Sequence, residues 1–315
     1  ERLRQIALEL DPGRPREQIH IALARHLHAD RDALAHADHL FATVDHYAAA
    51  VDLIEPHERA AVAELAMNAG GLAYSTLAYS AADAYFTLAR RVLRWDADPG
   101  AKWRASAAAA LALSIRNRHE EFAELIAEMR EHAPSVVARA RTTTIEAVHL
   151  TRALDLDSSM RISAAALTDC GLDVPFDDRD AVEAATADYL ARFRAATAGR
   201  NLVEVLTGLP QLVEGDVSAP LDLIAAVCDA AALGDTHFAD LVAAAGAAYC
   251  LEHGNSRRAA LAYTLLAQCL IDREQAYGDA AALMSAVARL EAGRPHDSWM
   301  TGRIASSRTA FIAHW

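Results

Sequence analysis

Apolar residues recur at intervals of three and four along almost the whole chain, and no segment alternates convincingly over five or more positions. In 178–194, for example, one helical face carries Val182, Tyr189, Leu190 and Phe193. This spacing is the period of an amphipathic α-helix, whereas a half-buried strand would alternate. Much of the 53% hydrophobic content is alanine, which forms helices readily and strands poorly. The sequence therefore predicts an all-α protein with closely packed helices.

Short breaks rich in Gly, Pro, Asp and Asn divide the chain into roughly a dozen segments of ordinary helix length. Short links favour antiparallel helical hairpins, and many such helices without one dominant heptad favour a solenoid. We predict N-terminal helices in 1–55 that lead into the array, helical hairpins in 56–206, and further hairpins of the same solenoid in 207–315. The longest break, at 207–220, is either an interface or a mobile loop.

Two adjacent glycines, Gly70 and Gly71, lie in a segment whose flanks are helical. The tetratricopeptide repeat is a helix–turn–helix unit of about 34 residues. It places a small residue midway along its first helix, then a small, an aromatic and a small residue along its second. With Gly70 at the first of these positions, the others fall on Ala82, Phe86 and Ala89. The register predicts a tetratricopeptide-like helical-hairpin solenoid, an α-α superhelix with irregular ends, in which Gly70 lets two helices pack closely.

The same register places four first-helix residues toward the concave side of such an array: Glu64, Asn68, Gly71 and Tyr74. A glycine there would keep the groove open, and Tyr74 either lines the groove or packs in the core. Adaptors that clamp a carboxylate use a basic cradle at these positions, and these residues do not form one. We therefore predict a partner-binding surface here without assigning its ligand.

A second marked feature is the GNS loop at 254–256. Gly254 is typical of a residue that ends a helix in the left-handed conformation. Ser256 is typical of the N-cap of a following helix at 257–272. We interpret Gly254, Asn255 and Ser256 as a tight turn between two helices of a hairpin, with a structural rather than a chemical role.

Motifs for catalysis, a metal or a cofactor are not evident. Lys102, the only lysine, lies in PGAKW, which excludes a P-loop and a kinase lysine. His36 and His39 could share a helix face, but no third metal ligand is placed. The DDRD motif at 177–180 resembles the acidic motif of all-α terpene synthases, yet the later carboxylate is missing and helix capping explains it. The single His-Asp dipeptide, His296–Asp297, lacks further ligands. We predict no catalytic residue, no metal and no cofactor.

The net charge and the cysteines limit which partners and which cellular compartment we expect. A net charge of −13 argues against nucleic acid and anionic membranes as direct partners. The four cysteines form no C-x-x-C pair, which is typical of buried free thiols in a reducing compartment. The chain has neither an apolar run of about 18 residues nor a signal peptide. We expect a cytoplasmic protein and, because it begins without Met inside a helical pattern, a fragment of a larger one.

Three segments, 36–54, 58–93 and 241–270, together resemble the long helical region that follows the ATPase module in bacterial STAND-type signalling proteins. This group contains large ATP-dependent transcriptional activators and Ser/Thr or histidine kinases with an embedded AAA-like ATPase. Its helical region resembles tetratricopeptide repeats. A histidine equivalent to His46 precedes the first regular repeat, and a GNS turn followed by a tyrosine, here Tyr263, marks the later part.

The resemblance implies a sensor or arm domain that receives a partner and holds a neighbouring ATPase on or off. The partner would be a protein or peptide segment, such as the ATPase module of its own parent chain, or a small inducer. The ATPase motifs themselves have no match in this sequence. Two alternatives stay open: a free-standing scaffold or adaptor of the tetratricopeptide kind, and an all-α metal-dependent enzyme.

Overall fold

The computed structural model describes residues 15–212 and 216–292, together with Gly302, Ile304 and Ala305. In this part of the chain all regular secondary structure is helical, which confirms the all-α prediction. The fourteen α-helices are α1 Arg16–Ala29, α2 Ala37–Ala48, α3 Arg59–Ser75, α4 Tyr79–Val92, α5 Pro99–Ile115, α6 His119–Glu131, α7 Val136–Arg152, α8 Leu156–Asp169, α9 Arg179–Thr197, α10 Leu202–Thr207, α11 Ala219–Gly234, α12 Thr236–His253, α13 Ala259–Glu274 and α14 Tyr277–Glu291. The His296–Asp297 dipeptide lies outside the described residues.

The chain divides into two compact units, Glu1–His132 and Ala133–Trp315. The first holds α1 to α6 and the second holds α7 to α14. This single division falls inside the predicted segment 56–206. The predicted segment boundaries at residues 55 and 206 stay predictions.

In the first unit each helix packs on the next one in the chain, from α1 through to α6. Its core is small and rich in alanine, and the largest fully buried side chain in it is Tyr47 of α2. Packing of each element on its chain neighbours is what repeat arrays show, because every unit buries its apolar face against the one before it.

The second unit departs from strictly sequential packing. The hairpins α7–α8, α11–α12 and α13–α14 pack in that order: α11 lies on both α7 and α8, and α13 lies on α12 and α11. Helices α9 and α10 come between the first two hairpins in sequence, but α9 packs on α12 and α10 packs on α14. The pair α9–α10 is therefore an insertion that covers the second helices of the two later hairpins.

Four hairpins have a left-handed residue after their first helix. A non-glycine residue with positive φ follows α3, α5, α7 and α13, and these residues are Leu77 (φ 63°), Asn117 (56°), Leu154 (61°) and Gln275 (54°). After the first three, the next backbone N–H bonds to the carbonyl five residues earlier, at 2.8, 3.0 and 2.9 Å, as in a Schellman motif. The first three turns lie 40 and 37 residues apart, a longer spacing than the ~34 residues of the tetratricopeptide unit.

Candidate binding surface

The four predicted surface residues share one face of α3. Glu64, Asn68 and Gly71 are exposed and Tyr74 is half-buried. Their spacing of four, three and three residues is one helical stripe. Buried residues occupy the opposite face of the helix and include Val62, Ala66, Ala69 and Ala73. We name the stripe Glu64, Asn68, Gly71 and Tyr74 the α3 face.

The two adjacent glycines have different surroundings. A Cβ on Gly70 would lie 2.5 Å from Cδ1 and 3.0 Å from Cζ of Phe86, whereas a Cβ on Gly71 would have no neighbour within 4 Å. Ala82, Phe86 and Ala89 of α4 are all buried. The Phe86 ring therefore packs against α3 at Gly70, and the space above Gly71 is open.

Tyr74 and Tyr79 form a pair where α3 ends and α4 begins. Their ring centroids lie 5.3 Å apart in an edge-to-face arrangement, a favoured geometry for two aromatic rings. Both side chains are half-buried. The pair gives one end of the α3 face an aromatic border.

His46 belongs to a group of histidines between α1 and α2. Its Nδ1 shares a hydrogen bond of 2.8 Å with Nδ1 of His20. His28 Nδ1 bonds with the Tyr47 hydroxyl at 2.9 Å, and His39 Nε2 donates to the Leu27 carbonyl at 2.9 Å. Burial lowers the pKa of His28. Three of these histidines, His28, His39 and His46, are half-buried, so they are packing elements of the first hairpin.

Metal ligation has no support in this region. His36, whose spacing could place it on one helix face with His39, is exposed and precedes α2. Among the described residues, no group of three or more His, Cys, Asp or Glu side chains could hold a metal ion.

A bidentate ion pair joins α1 to the start of α3. Arg25 donates to both carboxylate oxygens of Glu58, at 2.7 and 2.8 Å. Glu58 also accepts a bond of 2.9 Å from the backbone N–H of Glu55. The hydrogen bonds from Arg25 lower the pKa of Glu58 to about 2.

This ion pair predicts acid sensitivity with a defined direction. A carboxylate whose pKa is lowered on folding stabilises the protein above its unfolded pKa, and the contribution is lost as the pH falls toward 2. We expect Glu58→Gln to lower the free energy of unfolding at neutral pH by about 1–2 kcal/mol, after allowance for solvent screening. The loss should shrink between about pH 4.5 and pH 2. Urea denaturation followed by circular dichroism across this pH range measures it.

The matched control is Glu55→Gln, because Glu55 contacts the same guanidinium but its side chain is 57% exposed, against 14% for Glu58. We expect this control to change stability by less than about 0.5 kcal/mol. Equal effects of the two substitutions, or a Glu58→Gln effect that does not vary with pH, would contradict the assignment.

The GNS loop is the centre of a hydrogen-bond network in the second unit. The Tyr263 hydroxyl donates to Asn255 Oδ1 and Asn255 Nδ2 donates to the Leu206 carbonyl, both at 2.7 Å. The backbone of Asn255 also accepts from Leu212 N–H and donates to the Pro210 carbonyl, both at 2.8 Å. We call these four bonds the Asn255 latch. They fasten the segment after α10 to the turn between α12 and α13.

Gly254 and Ser256 flank the latch. Gly254 has φ 114° and ψ 179°, a positive φ but an extended ψ, and therefore not the predicted left-handed helical conformation. A Cβ there would lie 2.5 Å from the Pro210 carbonyl oxygen, so only glycine fits. The prediction that Ser256 is the N-cap was wrong: α13 begins at Ala259, and Ser256 Oγ instead accepts from Arg258 N–H at 3.0 Å, which makes a turn before the helix.

The second unit also contains a charged network that the sequence analysis missed. Arg273 of α13 donates to Glu183 of α9 at 2.5 Å and to Asp240 of α12 at 3.2 Å. His237 of α12 bonds to the same Glu183 carboxylate. The hydrogen bond from Arg273 lowers the pKa of Glu183 to about 2. The partners lie 33 to 90 residues apart in sequence, so no local motif indicates the network.

Two further sequence interpretations concern capping and thiols. Asp178 accepts from the backbone N–H groups of Asp180 and Ala181, which confirms capping as the role of the DDRD motif. All four cysteines are free. Burial raises the pKa of Cys250 to about 12, so this thiol stays protonated and is a poor nucleophile.

Comparison with known protein families, with curated proteins and with solved structures finds no match to this chain. Within the described part of the chain, the helices are too short or too polar to cross a lipid bilayer. The interpretation of α3 therefore rests on its geometry alone. The helix has an exposed stripe with open space at Gly71, and its other side is tightly packed.

Proposed function

We propose that this chain is a non-catalytic helical-repeat domain that binds a partner on the α3 face. It would be a tetratricopeptide-like solenoid within a cytoplasmic, multidomain bacterial ATPase of the STAND type that acts in signalling or transcription regulation. The observation that carries the proposal is the open space above Gly71 on an exposed stripe of a helix whose other side is buried. The partner is a protein or peptide segment, such as the ATPase module of the parent chain, or a small inducer.

Two features of the packing support a repeat array. Each helix of the first unit packs on its chain neighbours, and a left-handed residue follows the first helix of four hairpins. In such arrays the faces of successive first helices form an extended recognition surface. The partner would act by binding one state of the parent protein more tightly than another, because only differential affinity shifts an equilibrium.

A free-standing adaptor is the second candidate. The repeated turn and the sequential packing support it equally, since neither depends on a neighbouring ATPase. The domain content of the full-length parent separates the two: an upstream P-loop ATPase module supports the first candidate, and its absence leaves the adaptor.

The α3 face is tested with a matched pair of substitutions. Gly71→Arg places a long cation in the open space above the face, and Ala84→Arg places the same side chain on an exposed position of α4. If the purified ATPase module is the partner, we expect Gly71→Arg to weaken its binding at least tenfold, which is about 1.4 kcal/mol. Ala84→Arg should leave it unchanged. Isothermal titration calorimetry measures both.

Equal affinities of the wild type and the Gly71→Arg variant would contradict the α3 face as the binding surface. Circular dichroism of both variants controls for folding; the open space around Gly71 and the exposure of Ala84 predict that both variants fold.

A further inference from the structure

The inserted helices α9 and α10 form a cleft with the last hairpin of the second unit. Its volume is about 390 Å³, within the ~300–1,000 Å³ that small-molecule sites occupy. The C-terminal turns of α9, the α9–α10 link and the first turn of α10 form one wall, and α13 and α14 form the other. The residues that line it are Leu190, Phe193, Arg194, Thr197, Ala198, Gly199, Arg200, Leu202, Leu270 and Asp279.

The cleft has an apolar floor. Leu190 and Phe193 of α9 and Leu270 of α13 line it, and each of these side chains is otherwise buried. Leu202 of α10 is half-buried beside them. The Asn255 latch fixes the chain immediately after α10, so this wall is held in place without a ligand.

The rim carries two opposite charges that no residue in the described part of the chain neutralises. Arg194 is paired with Glu274 of α13. In contrast, Arg200 and Asp279 form no ion pair with any residue that the structure describes. Arg200 donates a 3.4 Å bond to the Ala196 carbonyl. The cleft therefore offers one guanidinium, one carboxylate and an apolar floor.

We propose that this cleft binds a small zwitterion with an apolar side chain, of the size of a free amino acid or a dipeptide. The ligand carboxylate pairs with Arg200, whose planar guanidinium suits bidentate carboxylate binding. The ligand ammonium pairs with Asp279, and the apolar side chain covers Leu190, Phe193 and Leu270. A ligand with only one charge would make only one of these two ion pairs. The site does not involve the α3 face, so it can be tested independently of the function proposed above.

The test is calorimetric titration of the whole chain with L-leucine, L-phenylalanine and leucyl-leucine. The single-charge probes are N-acetyl-leucine, which lacks the ammonium, and leucinamide, which lacks the carboxylate. We expect saturable binding of at least one zwitterion and weakening of about tenfold or more for both single-charge probes. Arg200→Gln and Asp279→Asn should each weaken the zwitterion by a similar factor. Arg289→Gln, an exposed site on α14 away from the cleft, is the control and should have no effect.

Three results would overturn the proposal: no zwitterion binds to the folded chain, a single-charge probe binds as tightly as its parent amino acid, or binding is unaffected by both Arg200→Gln and Asp279→Asn. Because both substituted side chains are exposed, the variants should fold normally, and circular dichroism verifies this.

Discussion

Replacing Asn255 by alanine is expected to lower the free energy of unfolding of the second unit by about 3 kcal/mol. The substitution leaves the Leu206 carbonyl and the Tyr263 hydroxyl without their partner, and both residues are fully buried. An unsatisfied buried polar group costs about 1–3 kcal/mol. Tyr263 also contacts the sulfur of Cys250, but a thiol is a weak acceptor and replaces the lost bond poorly.

The control is Asn201→Ala, which changes the same residue type in the same unit. Asn201 is the exposed N-cap of α10 and accepts from Val203 and Glu204 N–H, so its loss should cost about 1 kcal/mol. The stability loss of Tyr263→Phe should lie between those of Asn255→Ala and Asn201→Ala, because this substitution removes one hydrogen bond and keeps the aromatic ring. Urea denaturation gives the free energies, and amide hydrogen exchange of residues 206–212 shows whether the latch has opened. An Asn255→Ala variant no less stable than Asn201→Ala would contradict a latch role.

The local parts of this fold are readable from the sequence because they depend on residues a few positions apart. The period of three and four predicts the helices, and the spacing of Gly70, Ala82, Phe86 and Ala89 follows from one hairpin. The left-handed turns are different. Leu77 and Leu154 have no intrinsic preference for positive φ, so only the packing of the hairpins on either side can impose it. The sequence therefore locates the turns but not their conformation.

The long-range parts could not be predicted. The GNS loop is visible in the sequence, but the partners of Asn255 include Leu206, which is 49 residues away. Helices α9 and α10 pack against α12 and α14 although the chain offers many similar alanine-rich helix faces. No local sequence pattern specifies which of these faces they cover. The cleft follows from that insertion: Arg200 and Asp279 belong to different helical pairs and line one cleft only after both pairs have packed. That Glu64, Asn68, Gly71 and Tyr74 share one face was predictable because one helix contains them.

A second large effect on stability is expected at Gly70, and the adjacent Gly71 provides an internal control. Gly70→Ala and Gly71→Ala make the same chemical change on neighbouring positions of α3, and each gains about 1 kcal/mol of helix propensity. At Gly71 the new methyl group meets open space, so the gain should appear as increased stability. At Gly70 it meets the buried Phe86 ring, and forcing a side chain into a packed core costs about 1–3 kcal/mol. Because the gain in helix propensity is common to both, we expect Gly70→Ala to be less stable than Gly71→Ala by about 1–3 kcal/mol.

A second substitution tests whether the Phe86 ring causes the loss of stability in Gly70→Ala. Phe86→Leu shortens the side chain that packs against Gly70. Gly70→Ala should therefore lower the free energy of unfolding less in the Phe86→Leu background than in the wild type. A double-mutant cycle from urea denaturation should give a coupling energy of about 1 kcal/mol or more between residues 70 and 86, and none between residues 71 and 86. If Gly70→Ala and Gly71→Ala stabilise the chain equally, the seam between α3 and α4 does not depend on glycine. The register on which the repeat array and the α3 face both rest would then have no physical basis.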